Sequence, residues 1–220
     1  MNSKRKLLAA SHLYAVIDKD VATGHCLVKS AVEVTRAGAD IVQLRDKHSN
    51  RNVILQEALR VKKVISKKHA LLLINDYIDI AQIVDSDGVH LGQDDLPLQA
   101  VRKLLGKEKI IGISCHSFAQ ALKAEKDGAD YISIGPVFST PTKPEYRPVG
   151  LALVTRCQRS IKIPWFAIGG IDLKNASRVV HHGAQRIAVC RALCKARNKD
   201  TTVSEFKKII EIKTRSKTGS

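Results

Sequence analysis

At 220 residues, 44% of them hydrophobic and 26% charged, the chain has the make-up of an ordinary globular domain and the length to bury one substantial core. No apolar run comes near the roughly 20 residues that cross a bilayer, and Leu7-Leu8-Ala9-Ala10 behind Lys4-Arg5-Lys6 is too short for a secretory segment, so a membrane span or an exported form is not expected and the chain reads as soluble and cytoplasmic. The net charge of +16 suits anionic partners, but it is scattered, and four Phe, four Tyr and one Trp make a poor base-stacking surface, so neither a specific nucleic acid nor a membrane is expected as a partner.

In chain order, residues 1–12 read as a flexible lead-in. Short Val- and Ile-rich strands follow over 13–17, 41–44, 70–74, 88–91, 110–113, 131–134, 164–168 and 186–190, with stretches of helical period between them. The stretch 53–65 shows the helical pattern: apolar residues at Val53, Ile54, Leu55, Ala58, Leu59, Val61, Val64 and Ile65 make mainly one stripe, and Glu57, Arg60, Lys62 and Lys63 cover much of the other side. Gly38, Gly128 and Gly183 each stand between a helix and the next strand, where a left-handed residue ends a helix. Residues 214–220 read as a disordered basic tail. Eight strand–helix units and no second domain predict a single (β/α)8 barrel over 13–213, a fold of about 250 residues in its usual form. An open doubly wound sheet would carry a glycine-rich turn after its first strand, and Asp18-Lys19-Asp20 has none. The five cysteines (Cys26, Cys115, Cys157, Cys190 and Cys194) are odd in number and lack a Cys-x-x-Cys pair, which argues for reduced thiols; Cys190 and Cys194 read as small buried apolar residues.

In such a barrel the chemistry sits at the C-terminal ends of the strands. The second strand ends in Gln43-Leu44-Arg45-Asp46-Lys47, and alternation puts Gln43, Arg45 and Lys47 on one side, able to hold a polar ring and a pyrophosphate; taken alone, the three also read as an ordinary charged strand end. The third strand is followed by Asn75-Asp76 and the fourth by Gly92-Gln93-Asp94-Asp95. Asp76 and Asp95 on adjacent strands could share a Mg2+ ion, which favours one or two carboxylates plus phosphate oxygens; helix capping accounts for each Asp equally well. His90, inside its strand, reads as a packed residue rather than a metal ligand. After the fifth strand, Ser114 offers a hydroxyl to phosphate, Ser117 reads as a helix cap, and Cys115 and His116 face opposite ways, which disfavours a nucleophile pair. The loop 138–148 is the longest, and its Thr140, Thr142 and Lys143 could make an anion clamp, with a plain Pro-rich turn as the alternative. Gly169-Gly170 and Cys190-Arg191 end the last two strands, where many barrels bind phosphate through backbone N–H groups.

Together these phrases resemble the thiamine-phosphate synthase family over residues 13–193: Gln43 to Lys47, Asn75-Asp76, Gly88 to Asp95, Gly112-Ile113-Ser114, Gly135 to Phe138 with Thr140 to Lys143, and Ile168 to Ile171. The resemblance implies Mg2+-dependent joining of 4-amino-2-methyl-5-hydroxymethylpyrimidine diphosphate to 4-methyl-5-(2-hydroxyethyl)thiazole phosphate, through a pyrimidine carbocation. It implies that Gln43, Arg45, Lys47 and Asn75 hold the pyrimidine diphosphate, that Asp76 and Asp95 bind Mg2+, and that Ser114 and Lys143 contact the pyrophosphate. Arg45, Lys47, Ser114 and Lys143 are then the catalytic set. Thr140, Thr142, Gly170 and the backbone near Cys190 and Arg191 would receive the thiazole phosphate. Arg191 stands where many relatives have Ser, so a guanidinium replaces a hydroxyl there. Small phosphorylated molecules are the implied partners, with a homo-oligomer left open. Two rivals remain: a thiazole tautomerase of the same fold, with His116 as its proton carrier, and a non-catalytic basic protein that binds nucleic acid. Intact Arg45, Lys47, Asp76, Asp95 and Lys143 argue against the first, and scattered charge against the second.

Overall fold

The computed structural model of the chain describes residues 3–22, 26–65, 70–144 and 146–215. Eight parallel strands, β1 (Leu13–Asp18), β2 (Ile41–Arg45), β3 (Leu71–Asn75), β4 (Gly88–Leu91), β5 (Ile110–Cys115), β6 (Tyr131–Ile134), β7 (Trp165–Ile168) and β8 (Ile187–Val189), pair in sequence order and close through β1 and β8 into a barrel. All eight strands lie where the sequence places them, with ends shifted by one or two residues. The helices α1 (Ser3–Ala10), α2 (Leu27–Arg36), α3 (Arg51–Ile65), α4 (Ile78–Ile83), α5 (Leu98–Leu105), α6 (Phe118–Lys126), α7 (Gly150–Ser160), α8 (Ala176–His181), α9 (Arg191–Cys194) and α10 (Lys199–Arg215) complete the described chain. Strand, crossover helix and parallel strand repeat because each helix buries one stripe on the outside of the sheet. In α3 the buried stripe is Ile54, Ala58, Val61 and Ile65, narrower than the apolar pattern, since Val53 and Leu59 at its margins stay exposed.

Two cores follow from the strand period of two. Outward residues such as Ala15, Val42, Leu72, Val89, Ile111, Ile132 and Ala167 pack under the helices. Inward residues Tyr14, Val16, Ile41, Leu71, Leu73, Ile110, Tyr131, Phe166 and Ala188 fill the barrel. Gly112 on β5 makes room for one of them: a Cβ there would lie 2.0 Å from the Tyr131 ring, so the glycine's missing side chain is the space that Tyr131 occupies.

Residues 3–10, expected from the sequence to be loose, instead form α1 beneath the N-terminal end of the barrel. Leu8 is only 1% exposed and joins the inner core. Arg5 Nε donates to Asp130 Oδ1 at 2.7 Å, and Arg186 Nη2 donates to the Ala9 carbonyl at 2.7 Å. A short amphipathic stretch finds its partner only in the folded floor, which local pattern does not reveal. Of the disordered basic tail expected over 214–220, Thr214 and Arg215 instead belong to α10, and the rest lies outside the described residues.

The aspartates just before β2, β4 and β6 (Asp40, Asp87 and Asp130) share one structural role. Asp40 Oδ2 accepts the amides of His12 and Leu13 at 2.9 and 2.8 Å, Asp87 Oδ2 accepts Leu72 N–H at 2.9 Å, and Asp130 Oδ2 accepts Ile111 N–H at 2.8 Å. The aspartate before an even-numbered strand thus ties down the start of the odd-numbered strand before it. Gly38, Gly128 and Gly183 are left-handed, with φ of 104°, 89° and 110°.

Candidate active site

Alternation that is apolar at the floor turns polar at the C-terminal end. Asp18, Gln43, Arg45, Asn75, His90, Ser114 and Ser133 line a cavity of about 450 Å³ there, walled by the loops after β6, β7 and β8. A smaller cavity of about 100 Å³ adjoins it, lined by Arg45, Lys47, Asn75, Asp76, Asp95, Ser114 and Lys143. The shared residues Arg45, Asn75, Ser114, His116 and Lys143 make the two one continuous mouth. Every residue singled out from the sequence for binding or catalysis lines one cavity or the other.

Arg45 is held from behind. Its Nη1 donates to Oδ2 of Asp18, a carboxylate with no solvent exposure. This charge-assisted bond fixes the guanidinium at the cavity wall. Lys47 Nζ lies 3.1 Å from Asp76 Oδ2. Asp76 in turn faces Asp95, as the convergence of adjacent strand ends requires. Burial, followed by the neighbouring Asp95 charge, raises the Asp76 pKa above the usual carboxylate value, and Lys47 opposes the rise. Neither aspartate caps a helix: Tyr77 occupies that position for α4 and Pro97 for α5. Asp95 Oδ2 instead accepts Gly92 N–H at 2.6 Å, and Asp76 sits in the left-handed region at φ 58°. Among the described residues no group of three or more His, Cys, Asp or Glu gathers as a metal cage. Two converging carboxylates fit a cation whose other ligands are water and phosphate oxygens.

The long loop carries Thr140, Thr142 and Lys143 into the larger cavity. Thr142 N–H donates to Thr140 Oγ1 at 3.3 Å, while Thr142 Oγ1 is buried with no hydrogen-bond partner among the described residues. Gly169 and Gly170 are both left-handed, and a Cβ on Gly170 would lie 2.6 Å from the Ser139 carbonyl oxygen, so glycine lets this turn seat against the loop. Cys190 is half-buried and walls the cavity, which corrects its reading as a plain core residue; Cys194 is buried. Arg191 is exposed at the rim, and one turn on Lys195 joins it.

His90 is packed, as expected: Nδ1 lies 2.8 Å from the Tyr131 hydroxyl and Nε2 2.9 Å from Ser114 Oγ. Burial, with Lys143 second, pushes its pKa down to about 3, so it is a neutral hydrogen-bonding group. Ser117 caps α6, accepting Gln120 N–H at 3.2 Å. Cys115 points outward into the core, its pKa pushed up to about 12 by burial, away from any nucleophilic role. His116 Nδ1 lies 2.6 Å from the Gly135 carbonyl oxygen, and the ring stacks on Tyr146 at 4.2 Å. Sequence reasoning missed Tyr14, Asp18, Ser133 and Lys195. The signal for Asp18 was present, since Tyr14, Val16 and Asp18 share one face of β1.

Comparison with known proteins adds to this geometry. The profile of the family described as thiamine monophosphate synthase matches residues 13–193. A thiamine-phosphate synthase of Shouchella clausii is 44% identical over 187 residues, 84% of this chain and 90% of that protein. One from Halalkalibacterium halodurans is 43% identical over 201 residues, 90% of this chain and 95% of that protein. Among solved structures, a thiamine phosphate pyrophosphorylase from Pyrococcus furiosus superposes with a TM-score of 0.84 at 34% identity, covering 96% of this chain and 98% of that one.

Proposed function

The chain belongs to the thiamine monophosphate synthase family and catalyses formation of thiamine phosphate, and from that premise we propose how its own residues carry the reaction. The pyrimidine diphosphate lies in the mouth, its ring toward Gln43 and Asn75 and its diphosphate toward Arg45, Lys47, Ser114 and Lys143. The bond between the ring's methylene carbon and the diphosphate oxygen breaks, and both electrons leave with pyrophosphate. The resulting carbocation, stabilised by the ring, is captured by the lone pair of the thiazole nitrogen, which forms the new C–N bond. Thr140, Thr142, Gly170, the backbone at Cys190 and Arg191 hold the thiazole phosphate. No covalent intermediate with the protein is needed: cations placed where negative charge develops supply the stabilisation, and the walls supply orientation. Asp76 and Asp95 would hold Mg2+, which when bound adds positive charge beside the diphosphate oxygens.

One observation supports this reading above the rest: the two aspartates, three cations and Ser114 surround one mouth although they come from four strand ends and a loop. A tautomerase would use none of these groups, and His116 is engaged with Gly135 and Tyr146. Small phosphorylated molecules are the partners, and we expect work in the cytoplasm; no helix among the described residues is long and apolar enough to cross a membrane. The test is pyrophosphate release assayed with both substrates, with and without Mg2+. Release that requires both substrates and the ion is expected. Release unaffected by chelation would remove the metal role from the two aspartates.

A further inference from the structure

Beneath the cavity runs a buried chain of hydrogen bonds with both ends facing it. Gln43 Nε2 donates to the Tyr14 hydroxyl. The Tyr14 and Tyr131 hydroxyls are 3.0 Å apart, Tyr131 Oη is 2.8 Å from His90 Nδ1, and His90 Nε2 is 2.9 Å from Ser114 Oγ. All five residues are at most 9% exposed. Each hydroxyl has one proton to give, and a neutral imidazole has one N–H and one acceptor nitrogen. The direction of one link therefore fixes the others. With the Gln43 amide nitrogen on Tyr14, the Tyr14 proton goes to Tyr131 and the Tyr131 proton goes to His90 Nδ1. His90 then carries its proton on Nε2 and donates to Ser114, whose own proton is left for the cavity. The same orientation leaves the Gln43 carbonyl oxygen for the cavity at the other end. Turning the Gln43 amide over reverses every link, so that Gln43 offers N–H groups and Ser114 offers only a lone pair. Ser133 Oγ, 3.4 Å from His90 Nε2, can give or accept and so follows either direction.

The geometry points to a two-way relay in which the group that a bound ring presents to Gln43 decides whether Ser114 donates or accepts at the diphosphate. Tyr14, Tyr131 and His90 are its positioning residues. This rests on the substrate reading above. The amino group of the pyrimidine is a donor; it meets the Gln43 carbonyl and selects the direction in which Ser114 donates to the leaving group. An oxo group in the same place selects the opposite direction and turns a lone pair of Ser114 onto an anionic oxygen. Discrimination between the two rings is therefore felt at both ends of the relay, not only at Gln43.

Two measurements on the full-length protein test this. Long-range 1H–15N spectra report the protonated nitrogen of the His90 ring without any ligand. Calorimetric titration compares the aminopyrimidine diphosphate with its oxo counterpart. We expect His90 to be protonated on Nε2 alone in the wild type and to change its tautomer distribution in Tyr131→Phe. We also expect the wild type to favour the amino compound at least tenfold, and that ratio to fall at least threefold in Tyr131→Phe. Tyr14→Phe cuts the chain one link nearer Gln43 and gives the same fall. A merely structural effect lowers both affinities together and leaves the ratio alone. An unchanged ratio in both variants, or the same tautomer distribution in wild type and Tyr131→Phe, overturns the relay. If neither diphosphate binds the wild type, the substrate reading fails, and the ligand-free spectrum still decides the relay.

Discussion

Asp76 meets two demands at one position: a left-handed backbone and a carboxylate facing Asp95. Asn tolerates that backbone region, whereas Ala there costs about 1 kcal/mol. Asp76→Asn should therefore cut pyrophosphate release by roughly 10²-fold or more, in the range seen when one electrostatic contact to the transition state is lost, at an unchanged melting temperature. Asp76→Ala should lose as much activity and also melt a few degrees lower; normal turnover in either variant would misplace the site. His90 yields a pH prediction. Its folded pKa, about 3, lies below the ordinary imidazole value of 6.5. Between those values the unfolded chain binds a proton that the folded one does not, so stability falls as pH drops through that window, by up to about 1.4 kcal/mol per pH unit. Denaturant midpoints of wild type and His90→Gln from pH 7 to 4 should diverge accordingly, and parallel curves would refute it. Legibility at this scale divides by mechanism. Asp76, Asp95 and Lys47 could be found because their places in the repeat put them at strand ends. Tyr14 and Asp18 could not be ranked, because they act by supporting Gln43 and Arg45, and that support exists only after β1 and β2 pair.

The eight strands were legible because each is a short apolar run bounded by a turn, and α3 because its stripe keeps the helical period. Helix α1 was not, since eight residues are too few for an autonomous helix and its one buried anchor, Leu8, needs the assembled floor. Gly38, Gly128 and Gly183 were visible as helix ends, but the work of Asp40, Asp87 and Asp130 as strand ties was not. Asp130 takes the largest share of it, accepting from Arg5, Arg102 and the Ile111 amide while only 7% of its side chain is exposed. Asp130→Ala should leave Arg102, itself only 21% exposed, with the Gly106 and Lys109 carbonyls alone, and free the start of β5. We expect a loss of about 1–3 kcal/mol, the usual cost of leaving a buried donor unpaired, measured by urea unfolding. Activity per folded molecule should stay near wild type, because this end of the barrel lies opposite the cavities.

Across the whole molecule, the net charge of +16 exceeds what a diphosphate site requires, and nothing in the fold explains the excess. At the mouth, Arg45, Lys143, Arg191 and Lys195 share one sign. Exposed charges are screened within about 8 Å at physiological ionic strength. The apparent KM for the diphosphate should therefore rise several-fold between 20 and 300 mM salt, with kcat nearly constant, and a flat KM would count against steering by this rim. Closure of the sheet through β1 and β8 has a further consequence. With every strand flanked on both sides, the folded protein offers a neighbouring molecule no row of unpaired backbone groups to extend. Clumping on heating must then wait for the barrel to come apart, so turbidity should begin at the unfolding transition and not below it.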